Sequence, residues 1–253
     1  MGKVILCVAV LGAGVGAVAN AVEIAYLGHS CFALHVEGGP TILIDPYAAF
    51  LPYPALPRPA DVVLITHGHI DHCPYCFGEK ERVTGDPTVV WPFGQDGRVR
   101  EGRWRITQGV TVDFVEASHV TAGGGGQGLV CLFSFELGGV RFAHLGDVGT
   151  TLTESQIQAL GDVEVLFIPV GGAYTIGPEE VVAVINQLPT VRIVVPMHYF
   201  VDGYCPWPLA PVDAFLAAVG KSWPIHRIGS EATVTADALP ESVEIWVMTF
   251  AEE

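Results

Sequence analysis

The chain has 253 residues, half of them hydrophobic and 15% charged, with a formal charge of −15 at pH 7. That length supports one deep core or two small ones, and the composition excludes a disordered chain. The acidic balance argues against a long nucleic acid as the main partner, because phosphate backbones are met by Lys and Arg.

The N-terminus reads as a targeting segment. Lys3 is followed by an uncharged apolar run from Val4 to Val18, and Ala19-Asn20-Ala21 has the small-x-small form of a cleavage site. Residues 1–21 are therefore expected to be a signal peptide and 22–253 the mature domain, secreted or periplasmic. An uncleaved segment would instead anchor the chain at a membrane, although the run is short of the roughly 20 apolar residues of a stable span. Gly12-Ala13-Gly14-Val15-Gly16-Ala17 imitates a dinucleotide-binding turn. A new strand-like segment begins at Val22 and leaves no room for the helix that turn requires. Of six cysteines, Cys7 would leave with the signal; export would allow one or two pairs among the other five, which spacing alone does not assign.

From Val22 the pattern is strand-rich. Glu23–Leu27 and Cys31–Val36 flank Gly28-His29-Ser30, and Gly38-Gly39-Pro40 turns into Thr41–Asp45. Five prolines between Pro46 and Pro59 exclude a helix interior or central strand there, so the segment reads as a surface loop that walls or covers a site. The apolar run Asp61–Ile65 leads into Thr66-His67-Gly68-His69-Ile70-Asp71-His72. A short helix is expected within Cys73–Arg82, then strands at Thr88–Trp91, Arg103–Ile106 and Val110–Ala117, the last delivering Ser118-His119. The glycine-rich linker Gly123–Gly126 precedes Leu129–Phe135, the turn Gly138-Gly139 and Val140–Leu145, which ends in Gly146-Asp147.

The second half alternates strand and helix. Thr153 and Gln156 form a capping box for a helix to about Leu160, followed by the strand Val163–Val170. Pro178 opens a helix with Val181, Val184, Ile185 and Leu188 at helical spacing. Val191–Val195 leads to Pro196-Met197-His198-Tyr199, a helix is expected near Val212–Val219, and strands near Thr233 and over Val243–Met248 close the chain. This order predicts a layered α/β or α+β sandwich, with early and late halves each supplying a sheet.

Three imidazoles and a carboxylate within Thr66–His72 are the usual ligands of zinc and similar ions, and a strand end followed by a turn can aim them at one point. His119, Asp147 and His198 also follow strands. Their co-occurrence carries more weight than any one of them. His35 and His226 read as ordinary residues and His144 as structural. His29 reads as a pocket residue, a proton donor or substrate contact. Asp45 is either an orienting partner of a ligand histidine or a turn residue, and Tyr199 either reaches the substrate or packs.

His-x-His-x-Asp-His, a lone His, Gly-Asp and a final His resemble the metallo-β-lactamase fold superfamily. Leu27–Phe32, Ile42–Pro46, Gly177–Glu180 and Pro196–Tyr199 resemble its branch of ascorbate-6-phosphate lactonase-like proteins and uncharacterised metal-dependent hydrolases. The resemblance, covering roughly Val22 to the end, implies a four-layer αββα sandwich with two divalent ions at one edge. Zinc is the first expectation; manganese and iron also suit these ligands. His67, His69 and His119 would hold one ion, Asp71, His72 and His198 the other, and Asp147 would bridge. Asp71 would also hydrogen-bond the attacking water. Such a pair polarises a substrate and acidifies a water, which implies hydrolysis of a small or lipid-like ester, lactone or phosphodiester. β-Lactam hydrolysis is the lesser expectation, because Gly146-Asp147 matches the bridging carboxylate that true β-lactamases lack. No Arg/Lys phosphate cluster supports the lactonase comparison fully. The rival reading is a non-hydrolytic metal-binding protein or a thiol oxidoreductase using Cys73-Pro74-Tyr75-Cys76, which resembles a glutaredoxin site.

Overall fold

The structure is a computed structural model that describes residues 20–54, 56, 59–107 and 109–251. The targeting segment and its glycine turn thus lie almost wholly outside the described residues, which begin at Asn20. Strands β1 (Val22–Gly28), β2 (Cys31–Val36), β3 (Thr41–Ile44), β4 (Val62–Leu64) and β5 (Thr88–Val90) come first. β6 (Gly102–Thr107), β7 (Val110–Ser118), β8 (Leu129–Leu137) and β9 (Val140–His144) follow. The remainder is α1 (Glu154–Leu160), β10 (Val165–Pro169), α2 (Pro178–Gln187), β11 (Ile193–Met197), α3 (Val212–Val219), β12 (Ile225–Ile228), β13 (Glu231–Val234) and β14 (Glu244–Met248).

These strands form two sheets, ordered β13-β1-β2-β3-β4-β5 and β12-β14-β11-β10-β9-β8-β7-β6. The expected half-and-half division is corrected in two places: β6–β9 join the second sheet, and β13 returns to the first beside β1. Phe32, Phe133, Phe135, Phe142 and Phe167 are buried between the sheets, with Phe32 and Phe167 rings 4.3 Å apart. Apolar side chains alternating along antiparallel strands form one face of this core.

The second sheet's outer face is covered by α1, α2 and α3, whose buried Leu160, Val181, Val184, Ile185, Phe215 and Val219 join its second core cluster. Thr153 caps α1 through the expected reciprocal box with Gln156. Over the first sheet the covering layer is the proline-rich segment, which buries Tyr47, Leu51, Tyr53 and Leu56 against Ala33, Leu43 and Val63. That segment is therefore a packed layer of the sandwich. The helix expected within Cys73–Arg82 is two short 3-10 turns, Pro74–Phe77 and Lys80–Arg82, because Gly78 takes a left-handed conformation between them. β12 escaped the sequence reading, since its four residues follow a proline and leave Ile225 exposed.

Strand direction positions the site. β3, β4 and β5 are mutually parallel, as are β9, β10, β11 and β14. Their C-terminal ends fall along one edge, where the chain leaves each strand for a loop. β7 and β9 both pair antiparallel with β8, so β7 ends at the same edge.

Candidate metal centre

Seven expected ligands and His29 converge at that edge. His29 lies in the β1–β2 turn and His67–His72 follow β4. His119 follows β7, Asp147 follows β9 and His198 follows β11. Among the described residues, one nitrogen or oxygen from each of His67, His69, His119 and Asp147 lies within 4.8 Å of the others, as does one from each of His29, Asp71, His72 and His198. Asp147 lies between the sets. Its Oδ2 is 3.1 Å from His119 Nε2, 3.2 Å from His198 Nε2 and 3.7 Å from His67 Nε2, and its Oδ1 is 3.2 Å from His72 Nε2. His29 joins the second set more closely than the sequence indicated, its Nε2 lying 2.9 Å from Asp71 Oδ2.

The backbone is bent to achieve this. His29, Asp45 and His198 have φ of 54°, 47° and 52°, left-handed values uncommon in residues other than glycine. The His198 N–H donates to His29 O and the Asp45 N–H to Leu64 O, each at 2.9 Å, so the loops hold one another. Gly146 is required as glycine: a Cβ there would sit 2.7 Å from Val130 Cγ2 and 2.8 Å from Thr66 Cβ.

One buried carboxylate orients ligands in both sets. Asp45 Oδ1 accepts from Thr66 N–H at 2.7 Å, and Oδ2 accepts from Thr66 Oγ1–H at 2.6 Å and from His72 Nδ1–H at 2.7 Å. A carboxylate only accepts, so His72 carries a proton on Nδ1 and turns Nε2 inward. The single Thr66 hydroxyl proton is spent on Asp45, so its oxygen accepts from His67 Nδ1 at 3.0 Å and fixes His67 in the same tautomer. His119 Nδ1 lies 3.0 Å from Gln127 O, with Nε2 facing Asp147. His144 is structural as expected: Nδ1 accepts from Gly146 N–H, and Nε2 donates to Ser30 O. Tyr199 packs and donates to Met248 O rather than facing the ligands.

Charge is concentrated here out of contact with water. Burial alone would raise Asp71 and Asp147, but the surrounding histidines hold both well below the usual carboxylate range. Burial would lower His72 and His198, yet the nearby carboxylates raise both, His198 to about 9. Burial, with neighbouring imidazoles, lowers His67 and His69. Burial and His198 lower His29 to about 4.

The donor set fits divalent ions. His72 Nε2 and Asp147 Oδ1 are buried yet have no hydrogen-bond partner, and His67 Nε2 and His69 Nδ1 face one another at 3.0 Å. Unpartnered buried polar atoms cost about 1–3 kcal/mol each unless something satisfies them. Imidazole and carboxylate donors at such spacing are what zinc-type ions take. By contrast, a cavity of about 660 Å³ lined by Arg103, Glu136, Arg141, Glu164 and Arg192 lies at the N-terminal ends of β9–β11, across the sheet from the histidines.

Residues 23–198 match the beta-lactamase superfamily domain. The chain belongs to the metallo-β-lactamase superfamily. A UPF0173 metal-dependent hydrolase from Methanoculleus marisnigri is 32% identical over 187 residues, spanning 70% of this chain and 80% of that one. One from Thermococcus onnurineus is 32% identical over 195 residues, spanning 70% and 84%. A crystal structure of a superfamily protein from Thermotoga maritima superposes with a TM-score of 0.69 at 33% identity, covering 91% of this chain and 100% of that one. Membership accounts for the two-sheet sandwich and the ligand-bearing edge.

Cys73 and Cys76 form a disulfide beside this edge. Cys31, Cys131 and Cys205 are free and buried.

Proposed function

We propose that the chain uses two divalent ions, zinc foremost, to hydrolyse a small-molecule or lipid-like ester, lactone or phosphodiester. Family and site together make this a metal-dependent hydrolase of the metallo-β-lactamase superfamily. The two-ion reading is carried by Asp147, whose carboxylate faces histidines of both sets. His67, His69 and His119 would hold one ion, Asp71, His72 and His198 the other, with Asp147 between them. Bound there, such ions would acidify a water and polarise the scissile group.

The chain's own groups supply the rest. His29, lowered to about 4, is neutral at pH 7 and donates from Nε2 to Asp71 Oδ2. That bond orients Asp71, and the pair lies beside the site for proton movement and substrate contact. Thr66 and Asp45 keep the His67 and His72 protons away from the ligand side. The Cys73–Cys76 pair stands outside a thioredoxin-like topology, which argues against the redox rival.

Metal analysis should find close to two divalent ions per chain. His67→Ala and Asp147→Ala should abolish hydrolysis across a panel of lactones, phosphodiesters and β-lactams. A native protein with no metal, or activity lost with Cys73→Ser but kept in the histidine variants, would overturn the reading. Export remains part of the proposal, and N-terminal sequencing of the mature protein should begin at Val22. Among the described residues, no helix is long and apolar enough to cross a membrane.

A further inference from the structure

We propose that the metal centre selects neutral substrates bearing an aliphatic or aromatic group, held by an apolar rim in which Trp207 and Phe50 form one wall and Trp91 another. This rests on the hydrolase reading above and narrows its substrate class.

Exposed large apolar side chains gather at the ligand edge. The Trp207 ring lies 5.6 Å from His29 and 6.1 Å from Phe50, which is 57% exposed. The Ala48 N–H donates to Ile70 O, tying the Phe50 segment to the ligand-bearing turn. Across the site, Trp91 is 40% exposed, and its ring tip lies 3.2 Å from where a Gly68 Cβ would stand, between His67 and His69. A side chain at residue 68 would press on that ring. Exposed Val120 directly follows the ligand His119. His69 is the most exposed of the eight site residues, so the centre opens to solvent on the Trp91 side.

Apolar groups exposed to water at an otherwise polar site signal a ligand that covers them. The charge pattern selects the ligand. Among the described residues, the arginine ion pairs lie outside the two ligand sets: they join Arg98 to Glu116, Arg103 and Arg141 to Asp113, and Arg227 to Asp213. Arg100 reaches the rim, but its guanidinium donates to the Trp91 carbonyl, so in a chain of net charge −15 an anionic substrate would find little compensating positive charge among the described residues. A neutral ester or lactone with an apolar arm matches both observations.

The test compares zinc-loaded protein on p-nitrophenyl acetate, p-nitrophenyl octanoate and bis(p-nitrophenyl) phosphate. The octanoate should exceed the acetate in kcat/KM by on the order of a hundredfold, reflecting burial of its longer chain. Trp207→Ala should cut that ratio about tenfold by removing one wall. Ile225→Ala should leave it alone, because exposed Ile225 opens β12 at the end of the sheet opposite the ligand edge. A flat ratio, or preference for the phosphodiester, overturns the proposal while leaving the hydrolase reading intact. Turnover of none of the three defeats the hydrolase reading. The rim is then judged by calorimetric binding of inert methyl alkyl ketones: affinity rising with chain length and lost in Trp207→Ala supports it, and no length dependence overturns it. A flat ratio with a dimer in light scattering that Phe50→Ala disperses assigns the rim to self-association instead.

Discussion

Replacing Asp45 by Asn should damage both ligand sets at once, although Asp45 belongs to neither. Asn offers one acceptor oxygen and an amide NH₂ in place of two acceptor oxygens. If its oxygen keeps the Thr66 N–H, the amide faces Thr66 Oγ1 and His72 Nδ1, both of which now donate to Asp45 Oδ2. His72 would then carry its proton on Nε2, the atom 3.2 Å from Asp147 Oδ1. The Thr66 hydroxyl would turn towards His67 Nδ1 and move that ring's proton inward as well. Loss of such an outer partner weakens metal binding by roughly 10–100-fold, and here the loss falls on each set. Two charge-assisted bonds to a buried carboxylate also go, destabilising the fold by about 2–4 kcal/mol. Chelator competition monitored by metal analysis measures the first effect and denaturant unfolding the second; circular dichroism confirms that the variant is folded. Thr66→Val separates the branches, since it removes the hydroxyl that links Asp45 to His67 and leaves the Asp45–His72 bond in place. Two ions held at wild-type affinity by folded Asp45→Asn would refute the reasoning.

Three further outcomes are expected. His198 is raised to about 9 in the metal-free protein, so its protonation stabilises that fold fully below about pH 6.5 and the effect is lost as pH rises through 9. Metal loading at pH 8 should therefore release on the order of one proton or more per chain. Calorimetry in buffers of different ionisation enthalpy would show it, and loading without proton release contradicts the assignment. Gly126→Ala places a Cβ 1.8 Å from His119 O at φ +73°, whereas Gly124→Ala, at φ +79°, meets nothing within 4 Å. Both should lose about 1–3 kcal/mol from backbone strain, but only Gly126→Ala should also lose metal at His119. Equal metal content in the two variants speaks against a packed role for the glycine loop. Opening the short Cys73–Cys76 loop with paired serines should cost about 2 kcal/mol in thermal unfolding and leave hydrolysis in place. Loss of activity from that change alone would revive the thiol reading.

Much of the site was legible in the chain because each ligand directly follows an apolar strand. His119, Asp147 and His198 fall after strands whose periodicity is plain, and parallel pairing brings such ends to one edge. The bend within Cys73–Arg82 was less legible. Its polar composition suits a helix, and only the left-handed Gly78 divides it. Trp207 gave no readable signal, since an aromatic residue between prolines says nothing about what it faces. Asp45 stood between two readings until its distance from Thr66 and His72 decided the matter.

The histidines and aspartates after Leu64, Ala117, Leu145 and Val195 pointed by themselves to an edge able to hold metal ions. Local sequence carries residue type and strand period, and those two properties suffice to name the candidate ligands. Tertiary structure alone decided that His29 belongs beside Asp71 and that one buried carboxylate orients both His67 and His72. Each of these depends on separations of 2.6–4.8 Å between groups tens of residues apart in the chain, and packing of the two sheets sets such separations.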